Sequence, residues 1–177
     1  MSQMSQTQML MPHLRRLHQN LEDATSDLTP HQLHWRPGKG CTHIAFSLWH
    51  YVRTEDNLIR FVLQNRRTTV WLEKGWNEVF HLDRVAQGTG MSLEDASAIR
   101  IPSSEEFLPY MRDVWLATEE YVGSITEDGL LEVFRFRPMG ERTALEVLME
   151  NLLTHGFSHL GEIWVLRALQ GLEGSPI

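Results

Sequence analysis

One cysteine, Cys41, stands in 177 residues. No intramolecular disulfide can form, and no cluster of thiolates is on hand to grip a metal. Such sparing use of cysteine fits a reducing cytoplasm. Basic residues are scarce as well: 16 Lys and Arg against 23 Asp and Glu leave a formal charge of −7. Nucleic acids and anionic membrane surfaces need a basic footprint, so neither is expected as a partner. The basic residues are scattered, with only Arg15-Arg16 and Arg66-Arg67 adjacent. No apolar run approaches the ~20 residues that span a bilayer. The opening "MSQMSQTQMLMPHLRR" lacks the apolar stretch and small-residue cleavage site of a signal peptide. The expectation is a soluble cytoplasmic protein, and the length suits a single domain, residues 1–177, with a substantial core.

Helical periodicity, by contrast, is plentiful. Leu10, Leu14, Leu17, Leu21, Ala24 and Leu28 recur every three or four residues, predicting a first helix over about 8–28 that stops before Thr29-Pro30. "LTPHQLHWRPGKGC" is a connector rich in breakers. Ile44, Leu48, Tyr51, Leu58 and Val62 predict a second helix over about 43–66. Residues 67–102 are less periodic but carry Trp71, Trp76 and Phe80, the mark of an ordered excursion packed on the rest. Ser103-Ser104 with two glutamates opens a third helix, to about 125. A second connector comes next, with a short extended segment at Val133–Phe136. Thr143 and Glu146 form a capping box for a last helix over about 143–169, ended by Gly171. The fold class is all-α, a four-helix bundle with a long aromatic loop between its second and third helices.

Two histidines sit on the apolar face of that last helix. His155 and His159 lie about 40° apart on the helical wheel, in the quadrant of Leu148, Leu152, Ile163 and Leu166. Spacing i,i+4 lets two imidazoles converge on one ion, as in the zinc motif H-E-x-x-H. Gly156 occupies the place of that motif's glutamate, which disfavours a protease of that kind. The alternative is a pair of core histidines bonded to backbone or hydroxyls. A third ligand from another helix would decide between them, and His50 on the second helix is the candidate, although taken by itself it reads rather as a core or surface histidine. His43 reads as a cap or an exposed residue. His13, His18, His31, His34 and His81 have no ligand role.

"LHWRPGKGCTHIAFSLWHYVRTEDNLIRFV" and "LLTHGFSHLGEIWVLRALQGL" together resemble the DinB/YfiT-like superfamily of small metal-binding four-helix proteins. Leu33, Arg36, Pro37, His50 and Glu55 fit its first half, and His155, His159, Gly161, Glu162 and Gly171 its last helix. Ser158 stands where many members have another histidine, one that is not generally a ligand. The resemblance implies a three-histidine site of His50, His155 and His159, and members that use low-molecular-weight thiols such as bacillithiol or mycothiol. It also implies a homodimer, for which the many aromatics and methionines are a second reason.

Three neutral imidazoles leave coordination positions open, the pattern of catalytic sites. An all-nitrogen shell suits zinc or nickel. A bound thiol or water would have its pKa lowered, giving respectively a thiol-dependent S-transferase acting on a small electrophile or a hydrolase. A metal- or ligand-binding stress protein without turnover is the reading of a different class. Glu162, three residues after His159, is the candidate catalytic residue, as general base or as a support for the ligand histidine; otherwise it pairs with Arg167 or Arg60. Glu55 falls about 140° around the helix from His50 and reads as structural. Of the aromatics, Trp71 and Trp76 are the candidates for a pocket wall, with Trp49, Tyr51 and Trp164 behind them.

Overall fold

The computed structural model describes residues 5–176. Helix α1 spans Gln6–Asp23, opened by a capping box at Ser5. A single turn, α2 (Pro30–Leu33), comes next. Helix α3 (Ile44–Asp56) runs straight into a π-helical segment, Asn57–Val62. The excursion holds three short helices, α4 (Val70–Glu73), α5 (Trp76–Val79) and α6 (Leu93–Ala98). Helix α7 (Ser104–Ser124) leads through α8 (Glu127–Leu130) to an antiparallel hairpin of β1 (Val133–Phe136) and β2 (Gly140–Thr143). The last long helix is built from α9 (Ala144–Glu146), a π-helical segment Val147–Thr154, and α10 (His155–Leu169).

Both α1 and α3 pack on α7 and on α10, so the four long elements close into a ring around one core. Leu14, Leu17, Leu21, Leu48, Trp49, Phe107, Tyr110, Leu148, Leu152 and Ile163 are buried inside it. The all-α four-helix expectation therefore holds, and the capping box at Thr143 is present. No helix among the described residues is long and apolar enough to cross a membrane.

The first helix ends at Asp23, short of the residue 28 that its periodicity predicts. Thr25 donates its hydroxyl to the Leu21 carbonyl at 2.7 Å, and Arg167 of α10 donates to the Ala24 carbonyl at 2.9 Å. Carbonyls at the helix end are thus satisfied from outside, so the helix need not continue. Ala24 and Leu28 stay buried in the turn beyond it, which is why the apolar spacing runs past the helix.

The aromatic excursion is fastened by one buried carboxylate. Asp56 accepts the backbone N–H groups of Val70 at 2.8 Å and Trp71 at 2.9 Å, which are orphan donors at the start of α4. Tyr110 donates to it at 3.2 Å and Arg53 at 3.3 Å. The Arg53 guanidinium also lies 4.8 Å from the centre of the Trp71 ring and donates to the Ala86 carbonyl at 3.2 Å. Trp71 and Trp76 both stack on Phe80 and tilt against Tyr110. These two tryptophans are core and loop packing, not a pocket wall.

A second buried polar knot joins α1, α3 and α7. Glu55 meets His18 at 3.0 Å and accepts the Thr118 hydroxyl at 2.6 Å, while the His18 ring stacks on Trp115. Burial alone would raise the Glu55 carboxyl, but the charge of His18 and the hydrogen bonds to it hold it below its ordinary value.

Each knot can be tested by removing its carboxylate. Asp56→Ala leaves two backbone donors and a buried Arg53 unpaired, so it should cost about 3–5 kcal/mol in denaturant unfolding. It should also expose sites within residues 67–102 to limited proteolysis; an unchanged cleavage pattern would show that something else fastens the excursion. Because the Glu55 pKa is depressed on folding, its stabilisation is complete above the unfolded value and is lost as pH falls through the folded one. Urea midpoints should therefore fall more steeply below pH ~4.5 for the native chain than for Glu55→Gln. Parallel pH profiles would exclude that role.

Candidate metal centre

α10 opens with His155 and carries His159 one turn on, while His50 lies in the middle of α3. The ring of His50 is 5.2 Å from that of His155 and 5.0 Å from that of His159, and the latter two are 4.5 Å apart, all edge-on. One ligand nitrogen from each lies within 4.8 Å of the others. The helices can meet this closely because residue 156 is a glycine. A Cβ there would stand 2.7 Å from the Tyr51 ring and would also strike Leu17. The residue that replaces the protease-motif glutamate has a packing reason.

Backbone and side-chain acceptors decide which nitrogens are free. The Nδ1–H of His50 donates to the carbonyl of Gln87, and a carbonyl can only accept, so Nε2 keeps its lone pair. The Nδ1–H of His159 donates to Glu162 at 2.7 Å, and Glu162 also accepts from the Ser47 hydroxyl at 3.2 Å. The His159 Nε2 is thereby turned toward the Nε2 of His155, 2.9 Å away. Two nitrogens about 2.0–2.1 Å from a shared ion lie about 2.8–3.4 Å apart at angles of about 90–109°. The pair is spaced as ligands of one ion would be, a distance that is also that of the hydrogen bond the two rings make here.

The electrostatics favour the ligand form. Burial, then the neighbouring His159 and His50, push His155 down to about 4. Burial also lowers His50, against the opposing hydrogen bond to Gln87. Both are neutral at pH 7, the state in which imidazole binds metal. The hydrogen bond from His159 holds the Glu162 carboxyl below its usual range. This three-histidine cluster could bind a metal ion.

Above the cluster opens a cavity of about 730 Å³. Its apolar wall comes from Phe46, Leu58, Met91, Phe136 and Met139; Thr54, Asn57 and Glu150 supply polar groups. Among the described residues its lining holds no Cys, Lys, Asp, Tyr or Trp. None of Trp49, Tyr51, Trp71, Trp76 and Trp164 reaches it.

Other residues fall elsewhere than expected. Arg167 pairs with Asp27 and Arg60 with Glu73, so neither is the partner of Glu162. His43 caps α3, its ring accepting the Phe46 N–H at 3.0 Å, but it is fully buried rather than exposed. Glu55 is structural, as its position on the wheel predicts. The Gln87 carbonyl has no signal in the sequence, because a backbone acceptor leaves no trace in residue type. Gly88 beside it has φ +95°, and a Cβ there would lie 2.6 Å from the His50 Nδ1.

His155→Ala should lower the metal bound per chain at least tenfold, measured by elemental analysis on protein without a histidine tag. His81→Ala and Cys41→Ser, both on the exposed surface, should keep a full equivalent. Gly88→Ala should weaken metal binding with the far-UV circular dichroism unchanged, because the new methyl group displaces the His50 ring. Full occupancy in both His155→Ala and Gly88→Ala would dismiss the site.

The profile of the DinB superfamily matches residues 13–163. No curated protein matches the sequence. Among solved structures, that of a conserved protein from Enterococcus faecalis superposes with a TM-score of 0.80 at 22% identity. The match covers 94% of this chain and 98% of that one, and shows that the two share a fold. The chain belongs to the DinB superfamily.

Proposed function

We propose that the protein is a metal-dependent enzyme, a thiol-dependent S-transferase that joins a low-molecular-weight thiol to a small electrophile at His50, His155 and His159. The observation that carries this reading is the open face of the triad. Its ligand nitrogens sit at one side of a cavity large enough for a drug-sized molecule, where a closed structural site would be walled by four protein ligands.

A divalent ion held by these three nitrogens, zinc or nickel by the donor set, would supply Lewis acidity that brings a bound thiol toward its thiolate at neutral pH. The chain's own residues do the rest. Among the described residues the cavity lining offers neither thiol nor amine, so in this reading the nucleophile arrives as a second small molecule. Gln87 and Glu162 hold His50 and His159 by their outer nitrogens, which keeps the inner ones aimed at one point. Glu162 is a positioning residue in this reading, since its carboxylate is engaged on the side of His159 away from His155. Phe46, Met91 and Phe136 present an apolar surface that suits an electrophile and limits competing water.

Hydrolysis is the second reading, favoured by Glu150, among the described residues the one carboxylate that lines the cavity and so a group able to take a proton from water. The experiment incubates metal-loaded protein with a small epoxide or aryl halide, with and without a thiol such as cysteine or a thiol sugar, and measures product by mass spectrometry. A thioether formed only with thiol, and at least tenfold slower after metal removal, is expected. Product without thiol would move the assignment to a hydrolase. No turnover under either condition across a panel of thiols would leave a binding protein.

A further inference from the structure

The cavity does not end at the hairpin. Asn57, Phe136 and Arg137 line both it and an adjoining groove of about 380 Å³. That groove carries Arg66, Arg135 and Arg137 and no acidic side chain. Arg15, Arg53, Arg60, Arg112 and Arg167 each form an ion pair with a carboxylate. Among the described residues none of the three groove arginines does so, nor do Arg16, Arg36, Arg67, Arg84, Arg100 and Arg142; what distinguishes the three is that they line one groove. Even Glu141, opposite Arg135 in the hairpin register, makes no ion pair with it. A chain with a formal charge of −7 thus gathers three unpaired guanidinium groups at one end of its main cavity.

Their placement is enforced by the backbone. Asn65 and Arg66 both adopt left-handed conformations, with φ of 51° and 65°. Neither is glycine, and two such residues in succession persist only where their surroundings hold them. Here the Arg66 N–H closes the turn onto the Phe61 carbonyl at 2.8 Å. Arg135 and Arg137 come from the end of β1, two residues apart.

We propose that this groove binds the anionic end, carboxylate or phosphate, of the molecule whose reactive end enters the three-histidine cavity. Guanidinium forks match both oxyanions in planar, paired hydrogen bonds. Phe61, Phe134 and Phe136 beside them accommodate an apolar linker between the two ends. The substrate or co-substrate is therefore an elongated anion, anchored at the hairpin and reacting some way off. The inference rests on reading the cavity as a ligand site, but anion binding is measurable without metal or turnover.

The test titrates metal-free, ¹⁵N-labelled protein with inorganic phosphate and with succinate, at constant ionic strength set by chloride, and monitors amide shifts by NMR. Saturable shifts are expected at Arg66 and Phe134–Arg137. They should weaken at least fivefold in Arg135→Gln/Arg137→Gln and in Arg66→Gln, and persist in His155→Ala. Saturation by phosphate alone assigns a phosphoryl ligand; saturation by succinate assigns a carboxylate. Should neither anion saturate, or shifts appear equally at remote arginines such as Arg15 and Arg112, or both variants bind as the native chain does, the groove is not an anion site. That result would leave metal binding by the triad untouched, whereas failure of His155→Ala to lose metal would not affect the groove.

Discussion

The geometry of the three-histidine cluster depends on a carboxylate that does not touch it. Asp56 is buried six residues beyond His50 and caps α4 through its two first amides. That cap fixes Trp71, whose indole N–H donates to the Asp83 carbonyl at 3.2 Å and whose ring lies under Arg53. Arg53 in turn holds the Ala86 carbonyl, and the next residue, Gln87, accepts the His50 Nδ1–H. Burial pushes the Asp56 carboxyl above its usual range, against the donors that converge on it. The cost of burying this charge is offset by satisfying donors that no other group reaches. An irregular segment is made rigid enough to orient a ligand because its irregular backbone is bonded to a regular helix.

The four helices were legible because each buries one stripe, and apolar spacing reports a stripe directly. The triad was legible in two steps. Spacing put His155 and His159 on one face, and the family pattern chose His50 from among the other histidines. The features that lay beyond the sequence have a physical reason in each case. Periodicity assumes one pitch throughout, yet Val147–Thr154 is π-helical, with Thr154 donating its hydroxyl to the Met149 carbonyl five residues back at 2.9 Å. Such a segment widens the helix and resets the register of the turns C-terminal to it. The wheel remains valid for His155 and His159 because both lie beyond the π segment. Trp71 and Trp76 illustrate a different limit: residue type cannot separate an aromatic that walls a cavity from one that fills a core.

Two glutamates near histidines show how environment divides similar pairs into different roles. Glu55 is fully buried and meets His18 beneath Trp115, so the pair joins α1, α3 and α7. Glu162 has a side chain that is 55% exposed, and its bond to His159 is screened by solvent on one side. Its contribution to stability is correspondingly small. Its main contribution is direction, since a carboxylate on Nδ1 settles the tautomer of His159 and makes its far nitrogen more basic.

The same burial that makes the triad costly to assemble keeps His50 and His155 in the form that can bind a metal. Desolvation holds His155 neutral down to about 4, so its ring carries a single proton near neutral pH. Gln87 and Glu162 occupy the Nδ1 positions of His50 and His159 and prevent those rings from turning away. The Nε2 atoms of His155 and His159 share a hydrogen bond at 2.9 Å, a contact that a divalent ion bound between them would replace. With the backs of these two rings occupied by acceptors, their inner nitrogens are held toward the cavity that the histidines line. The groove of Arg66, Arg135 and Arg137 adjoins that cavity at the hairpin. A ligand drawn to the arginines by its charge would be oriented before it meets the histidines, and orientation of this kind would give the cluster a direction of reaction.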